Sequence, residues 1–194
     1  MSKYIGVLAL QGAFARHIAM FQSIGVDARP FKELEELPNL AGLVIPGGES
    51  TTIGMLLERR GLIEPLRQAI LAGFPIYGTC AGAILLAKTI EDSDQIRLGT
   101  MDMVIRRNAY GSQVDSFEAK LDVRDPQAGL EAEIEGIFIR APLIISCEAA
   151  VQILASFDNK PVLVRQNSML AGSFHPELSN SPIIHRYFAN QLCK

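Results

Sequence analysis

A chain of 194 residues, 48% of them hydrophobic, is long enough to bury a sizeable core and too apolar to read as disordered. A formal net charge of −3 with no long basic run leaves no source for phosphate-driven nucleic-acid binding, and no apolar stretch is long enough to cross a bilayer. Three widely separated cysteines form neither a disulfide framework nor a metal-ligand cluster, so the chain reads as a cytoplasmic protein with free thiols, no metal and no cofactor.

The N-terminal residues lead straight into IGVLAL, Ile5 to Leu10, with no signal peptide ahead of it; this continuous apolar run predicts a fully buried strand. Helical composition follows from Phe14 to Ile24, and Gly25 is placed to cap it. Val26 to Phe31 predicts a short strand. Leu43 to Ile45 predicts a buried one, stopped by Pro46-Gly47-Gly48. Ser50 or Thr51 can cap a helix that runs through Arg60 and ends at Gly61, and Pro65 suits the first turn of another that closes near Gly73. A strand over Phe74 to Gly78, a turn at Cys80 and a helix from Ala81 to about Lys88 complete the first half.

This alternation predicts an α/β fold: three layers, a mostly parallel flavodoxin-like sheet with helices on both faces. The second half predicts strands over Met101 to Ile105, Ser116 to Val123, Ile137 to Ile139, Val151 to Phe157, Val162 to Arg165 and Met169 to Phe174. Asp158-Asn159-Lys160 is a turn between two of them, so an antiparallel extension is expected. Ile183 to Leu192 reads as a terminal helix. No repeat or linker interrupts the chain, and residues 1–194 read as one domain.

The chemistry concentrates in three loops. Gly78-Thr79-Cys80-Ala81-Gly82 has the spacing of a nucleophile elbow with cysteine at its centre. The glycines fit a sharp strand-to-helix turn whose flanking positions come close together, and the following helix N-terminus favours a thiolate. A thiol nucleophile needs a base, and the base needs an orienting group. His17, in the first helix, and His185, beside Arg186 in the terminal helix, read as surface residues. His175 lies in SFHPEL just past a strand; Pro176 holds it extended, so Glu177 projects to the same side and can fix its ring. The third loop, PGGEST, lies at the end of a predicted strand. The N–H of Gly48, paired with that of Ala81, would suit the oxyanion of an acyl transfer. The residues therefore predict a cysteine acyl-transfer or hydrolase site of Cys80, His175 and Glu177.

In chain order, GVLALQGAF, PGGEST, GTCAGAILLA, RRNAYGSQVDSFEA, IFIRAP and SFHPEL resemble the glutaminase subunits of pyridoxal 5′-phosphate synthase, within the class I glutamine amidotransferases. The similarity runs nearly end to end. It implies hydrolysis of L-glutamine to glutamate and ammonia by Cys80, His175 and Glu177. It further implies that Gly48, Glu49, Ser50, Arg107, Ile139 and Arg140 hold the glutamine. The ammonia would pass to a synthase (lyase) subunit in a large hetero-oligomer, with Gln11-Gly12 and Asn108 to Gln113 near the contact; nucleic acid and membrane are not expected partners. Two readings stand beside this one: the glutaminase subunit of another amidotransferase, such as imidazole glycerol phosphate synthase, and a stand-alone flavodoxin-like cysteine hydrolase.

Overall fold

The computed structural model describes residues 3–107 and 116–193. Asn108 to Gln113 therefore lie outside the described residues. Five strands form a parallel run: β1 (Tyr4–Leu8), β2 (Ala28–Phe31), β3 (Leu40–Ile45), β4 (Ile76–Thr79) and, from the C-terminal half, Met169–Gly172. Between the first four lie the helices α1 (Phe14–Ser23), α2 (Ser50–Arg59) and α3 (Ile63–Leu71). After β4 come α4 (Ala81–Leu86), β5 (Ala87–Ile90), β6 (Met101–Arg106), β7 (Ser116–Asp125), β8 (Leu130–Ile139), β9 (Leu143–Cys147), β10 (Gln152–Phe157), β11 (Lys160–Gln166) and β12, the Met169–Gly172 strand. The chain closes with α5 (Ile183–Tyr187), which widens into a π turn over Phe188–Leu192.

The main sheet has the order β10-β11-β12-β4-β3-β1-β2. From β12 to β2 all neighbours are parallel, while β10 and β11 extend the sheet antiparallel. β5, β6 and β9 form a second small sheet, and β7 pairs with β8 along their whole length. The expected architecture is therefore present: a mostly parallel sheet, helices on both faces and an antiparallel extension.

The parallel strands are apolar throughout because each face packs on its own core. Leu43 and Ile45 of β3 and Ile76 of β4 join one core with Ile53 and Leu57 of α2 and Leu66 and Ile70 of α3. Val44 and Tyr77, one residue out of step on the same strands, join the other with Phe21 of α1 and Ile184 and Phe188 of the C-terminal segment. All five strand residues are fully buried. α1, α2 and α3 end alike: the N–H groups of Val26, Leu62 and Phe74 reach back to the carbonyls of Phe21, Leu57 and Ala69, with Gly25, Gly61 and Gly73 at the reversal.

Several expectations needed revision. Glu49, not Ser50 or Thr51, caps α2: its carboxylate accepts from Thr51 N–H at 3.1 Å and Thr52 N–H at 2.7 Å. Ser50 is buried and donates instead to Gln95. The helix after Cys80 stops at Leu86, because Ala87–Ile90 pairs with β6. β8 is longer than Ile137 to Ile139 suggested; its start, Leu130-Glu131-Ala132-Glu133-Ile134, alternates apolar and acidic as a half-buried strand does. β12 ends at Gly172, so Ser173, Phe174 and His175 leave the sheet rather than extend it. β9 was not foreseen.

Candidate active site

The strand order reverses direction beside β1, and loops leaving that switch point gather at the C-terminal edge of the parallel strands. In-register pairing aligns the ends of β3, β4 and β12: Ile45 lies opposite Gly78, and Gly172 opposite Thr79. The Cys80 N–H then bonds the Gly172 carbonyl at 2.8 Å, which ties the start of one loop to the end of the neighbouring strand.

Cys80 sits at φ 50°, ψ −102°, a conformation that costs a non-glycine residue of order 1–3 kcal/mol and persists only when its surroundings impose it. The surroundings are the flanking glycines. A Cβ on Gly78 would stand 2.5 Å from the Gly82 backbone, and one on Gly82 would stand 2.1 Å from the Ile45 carbonyl oxygen. The turn can be this tight only without side chains at both places. Ala81, fully buried, is the first residue of α4, so its N–H has no partner within the helix.

His175 Nδ1 lies 2.8 Å from Glu177 Oε1, with the Glu177 side chain fully buried. Because Glu177 is held as a carboxylate, it accepts, and Nδ1 carries the ring proton. Burial pushes the Glu177 pKa up, but the His175 hydrogen bond and neighbouring positive charge outweigh it and leave the pKa below its usual value. Burial alone would lower the His175 pKa. Hydrogen bonds with Cys80 and Glu177 and their negative charges overcome it and raise it to about 10. The Cys80 sulfur also faces the Ile139 carbonyl oxygen at 4.0 Å.

A cleft of about 510 Å³ opens over these groups. Gly48, Glu49, Ser50, Cys80, Arg107, Ile139, Arg140, His175 and Glu177 all line it, so the residues singled out from sequence come together, with Ala81 buried just beneath. Gly47 lies against the imidazole: a Cβ there would stand 2.4 Å from His175 Cε1. Its carbonyl accepts from Ala13 N–H at 3.2 Å, which joins the loop after β3 to the loop after β1.

The two arginines differ. Arg107 donates to Glu49 Oε1 at 3.1 Å, to Thr51 Oγ1 at 3.0 Å and to Gln95 Oε1 at 2.6 Å. Glu49 is thereby both helix cap and counter-ion. Burial raises its pKa, yet the bonds from Thr52 and Thr51 dominate and hold it below its usual value. Arg140 is exposed at the mouth of the cleft, at φ 44°, and makes no ion pair among the described residues.

Sequence reasoning missed Gln95, put Gln11 only near the partner contact and misplaced two histidines. Gln11 lines the cleft and accepts the Glu49 N–H at 3.0 Å; its place at the end of β1 was the available signal. Gln95 anchors Arg107 from a loop with no sequence signature. His17 and His185 were placed on the surface and are instead fully buried. His17 Nε2 approaches Glu177 Oε2 at 3.3 Å. For His17 the signal was present: Phe14, His17, Ile18 and Phe21 form one helical stripe, and that stripe faces the core.

Residues 7–194 match the SNO glutamine amidotransferase family. The chain belongs to that family. It is similar to the pyridoxal 5′-phosphate synthase subunit PdxT of Carboxydothermus hydrogenoformans, with 51% identity over 190 residues and 98% of each chain covered. The Haemophilus influenzae protein of the same name is 45% identical over 194 residues, again with 98% of each chain covered. Among solved structures, a glutamine amidotransferase superposes with a TM-score of 0.91 at 44% identity, covering 97% of this chain and 98% of the other. PurLQS from Thermotoga maritima, at 14% identity and a TM-score of 0.73 over 99% of this chain and 100% of the other, shares the fold. No helix among the described residues is long and apolar enough to cross a membrane.

Proposed function

We propose that residues 1–194 act as one glutaminase domain, hydrolysing L-glutamine to L-glutamate and ammonia through Cys80, His175 and Glu177. The observation that carries this reading is the strained Cys80 beside His175, whose Nδ1 is bound to Glu177, at the floor of an open cleft. The sulfur, as thiolate, attacks the side-chain carboxamide carbon of glutamine. The carbonyl oxygen becomes an oxyanion, which the N–H groups of Gly48 and Ala81 receive. His175 Nε2 gives its proton to the departing nitrogen, ammonia leaves, and a thioester remains on Cys80. Neutral His175 then takes a proton from water, the hydroxide equivalent adds to the thioester carbon, and glutamate departs as the thiolate re-forms. Glu177 stays ionised throughout and holds the ring in its Nδ1–H tautomer.

The substrate's α-carboxylate and α-ammonium call for opposite partners. The guanidinium of Arg140, without an ion pair among the described residues, suits the carboxylate, as does that of Arg107. Glu49 and the Ile139 carbonyl suit the ammonium. Gly48 and Ser50 complete the wall. The PdxT relatives are named as subunits of pyridoxal 5′-phosphate synthase; on this reading the ammonia passes directly to a synthase subunit of that enzyme, in a large hetero-oligomer in the cytoplasm. The test is glutamate release from L-glutamine by the purified chain, with and without the synthase subunit, for the parent protein and Cys80→Ala. Release by the parent and none by the variant is the expected result; release by both would overturn the assignment.

A further inference from the structure

Behind the Cys80–His175–Glu177 group the structure continues into a buried polar chain. Glu177 Oε1 is bound to His175, but Oε2 makes no hydrogen bond among the described residues; His17 Nε2 faces it at 3.3 Å. His17 Nε2 also lies 3.2 Å from Thr79 Oγ1, and His17 Nδ1 lies 2.9 Å from His185 Nε2. His17, Glu177, Thr79 and His185 are all buried. The titratable groups packed around His17 are Tyr77 from β4, Glu177 and His175 from the segment after β12, and His185 from α5.

Electrostatics selects one proton arrangement. A carboxylate only accepts, so the ring nitrogen facing it must carry hydrogen; a lone pair there would repel it. His17 Nε2–H therefore bonds Thr79 Oγ1 and turns its positive end toward Glu177 Oε2, which it approaches at 3.3 Å without a hydrogen bond. Its Nδ1 is then bare and accepts from His185 Nε2–H. Burial, opposed in part by Glu177 and aided by His175, lowers the His17 pKa to about 4, and burial beside His17 takes His185 well below its ordinary value. Both rings are therefore neutral near pH 7. A neutral donor can hold a carboxylate oxygen without cancelling the charge that His175 needs.

Resting on the glutaminase reading above, we propose that His17, backed by His185, is a positioning residue. It fixes the Glu177 carboxylate, and through Glu177 the His175 ring. The outer imidazoles move no proton in the reaction; they hold one oxygen so that the other stays aligned. Without the His17 N–H at 3.3 Å, the buried Oε2 would lose the polar neighbour that stabilises its charge, and the carboxylate would rotate, taking the His175 contact with it.

The test compares His17→Gln with His17→Asn in the full chain with its synthase subunit. Glutamine places an amide N–H near the Nε2 position, whereas asparagine reaches only the Nδ1 position. His17→Gln is expected to keep glutamate release within a few-fold of the parent. His17→Asn is expected to lose about 10–100-fold in kcat with KM little changed. In a Glu177→Gln background the same His17→Asn change should cost almost nothing more, because the residue through which it acts is already altered. A second readout needs no substrate: the His175 titration, followed by NMR, should move to lower pH in His17→Asn and stay in place in His17→Gln. Parent-like kcat and titration in a folded His17→Asn protein would overturn the proposal, as would equal losses in both variants. If the parent released no glutamate at all, the glutaminase reading would fall, while the His175 titration would still decide whether His17 positions Glu177.

Discussion

Gly47 and His175 touch: a methyl group on Gly47 would stand 2.4 Å from His175 Cε1 and 3.0 Å from Nδ1. The imidazole therefore rests against bare backbone of the loop after β3. Gly47→Ala should displace the ring while leaving both cores intact, since Gly47 belongs to neither. Misplacement by about 1 Å costs on the order of 10²-fold in rate. The expected outcome is a folded protein, by circular dichroism, with glutamine hydrolysis reduced by roughly that factor.

Cys80 combines reactivity with backbone strain. Cys80→Ala should abolish glutamate release and leave the fold intact, whereas Cys147→Ala and Cys193→Ala should stay active, because neither of those lines the cleft. Cys80→Gly should be inactive but more stable than Cys80→Ala, by about 1 kcal/mol, since glycine accepts φ 50° without strain. Urea denaturation of the two variants checks this; equal midpoints would remove the strain argument.

His175→Ala should lose ~10²–10⁴-fold in rate, the usual worth of a general acid–base. Glu177→Gln should lose less, since the orienting residue exchanges no proton. Glutamate-release kinetics of the two purified variants gives the ranking.

Three histidines shape stability against pH, His17 and His185 in one sense and His175 in the other. His17 is lowered from 6.5 to about 4, so its contribution is present above pH 6.5 and disappears as pH falls toward 4; the full difference is worth about 3 kcal/mol. His175 is raised from 6.5 to about 10, so its contribution is present below pH 6.5 and disappears as pH rises toward 10. Unfolding free energies between pH 4 and 10 should fall on both sides. His17→Gln should flatten the acidic limb and His175→Gln the alkaline one.

Arg140→Ala and Arg107→Ala should both raise KM for glutamine, by roughly 10–100-fold if each removes a charge-assisted contact. Gln95→Leu should raise KM by less, because Glu49 and Thr51 still hold Arg107. Steady-state kinetics separates the three. A Gln95→Leu effect larger than that of Arg107→Ala would mean that Gln95 itself contacts the substrate.

What sequence alone determined was local and periodic. The continuous apolar runs of β1 and β3 required a sheet buried on both faces. The GxCxG spacing required a tight elbow, and two-residue spacing around Pro176 put His175 and Glu177 on one side. Tertiary structure decided whatever depended on partners far along the chain. Ala87–Ile90 and Leu143–Cys147 are strands only because β6 lies between them. Glu49 replaces Ser50 as cap because Gln95 takes the Ser50 hydroxyl and Arg107 balances the Glu49 charge. His17 and His185, 168 residues apart, bond only because α1 and α5 cover the same face of the sheet. A histidine can sit on a helix's inward face only if something there accepts its N–H. For His17 that acceptor is Thr79, with the Glu177 carboxylate beside it, residues its own helix sequence gives no means of locating.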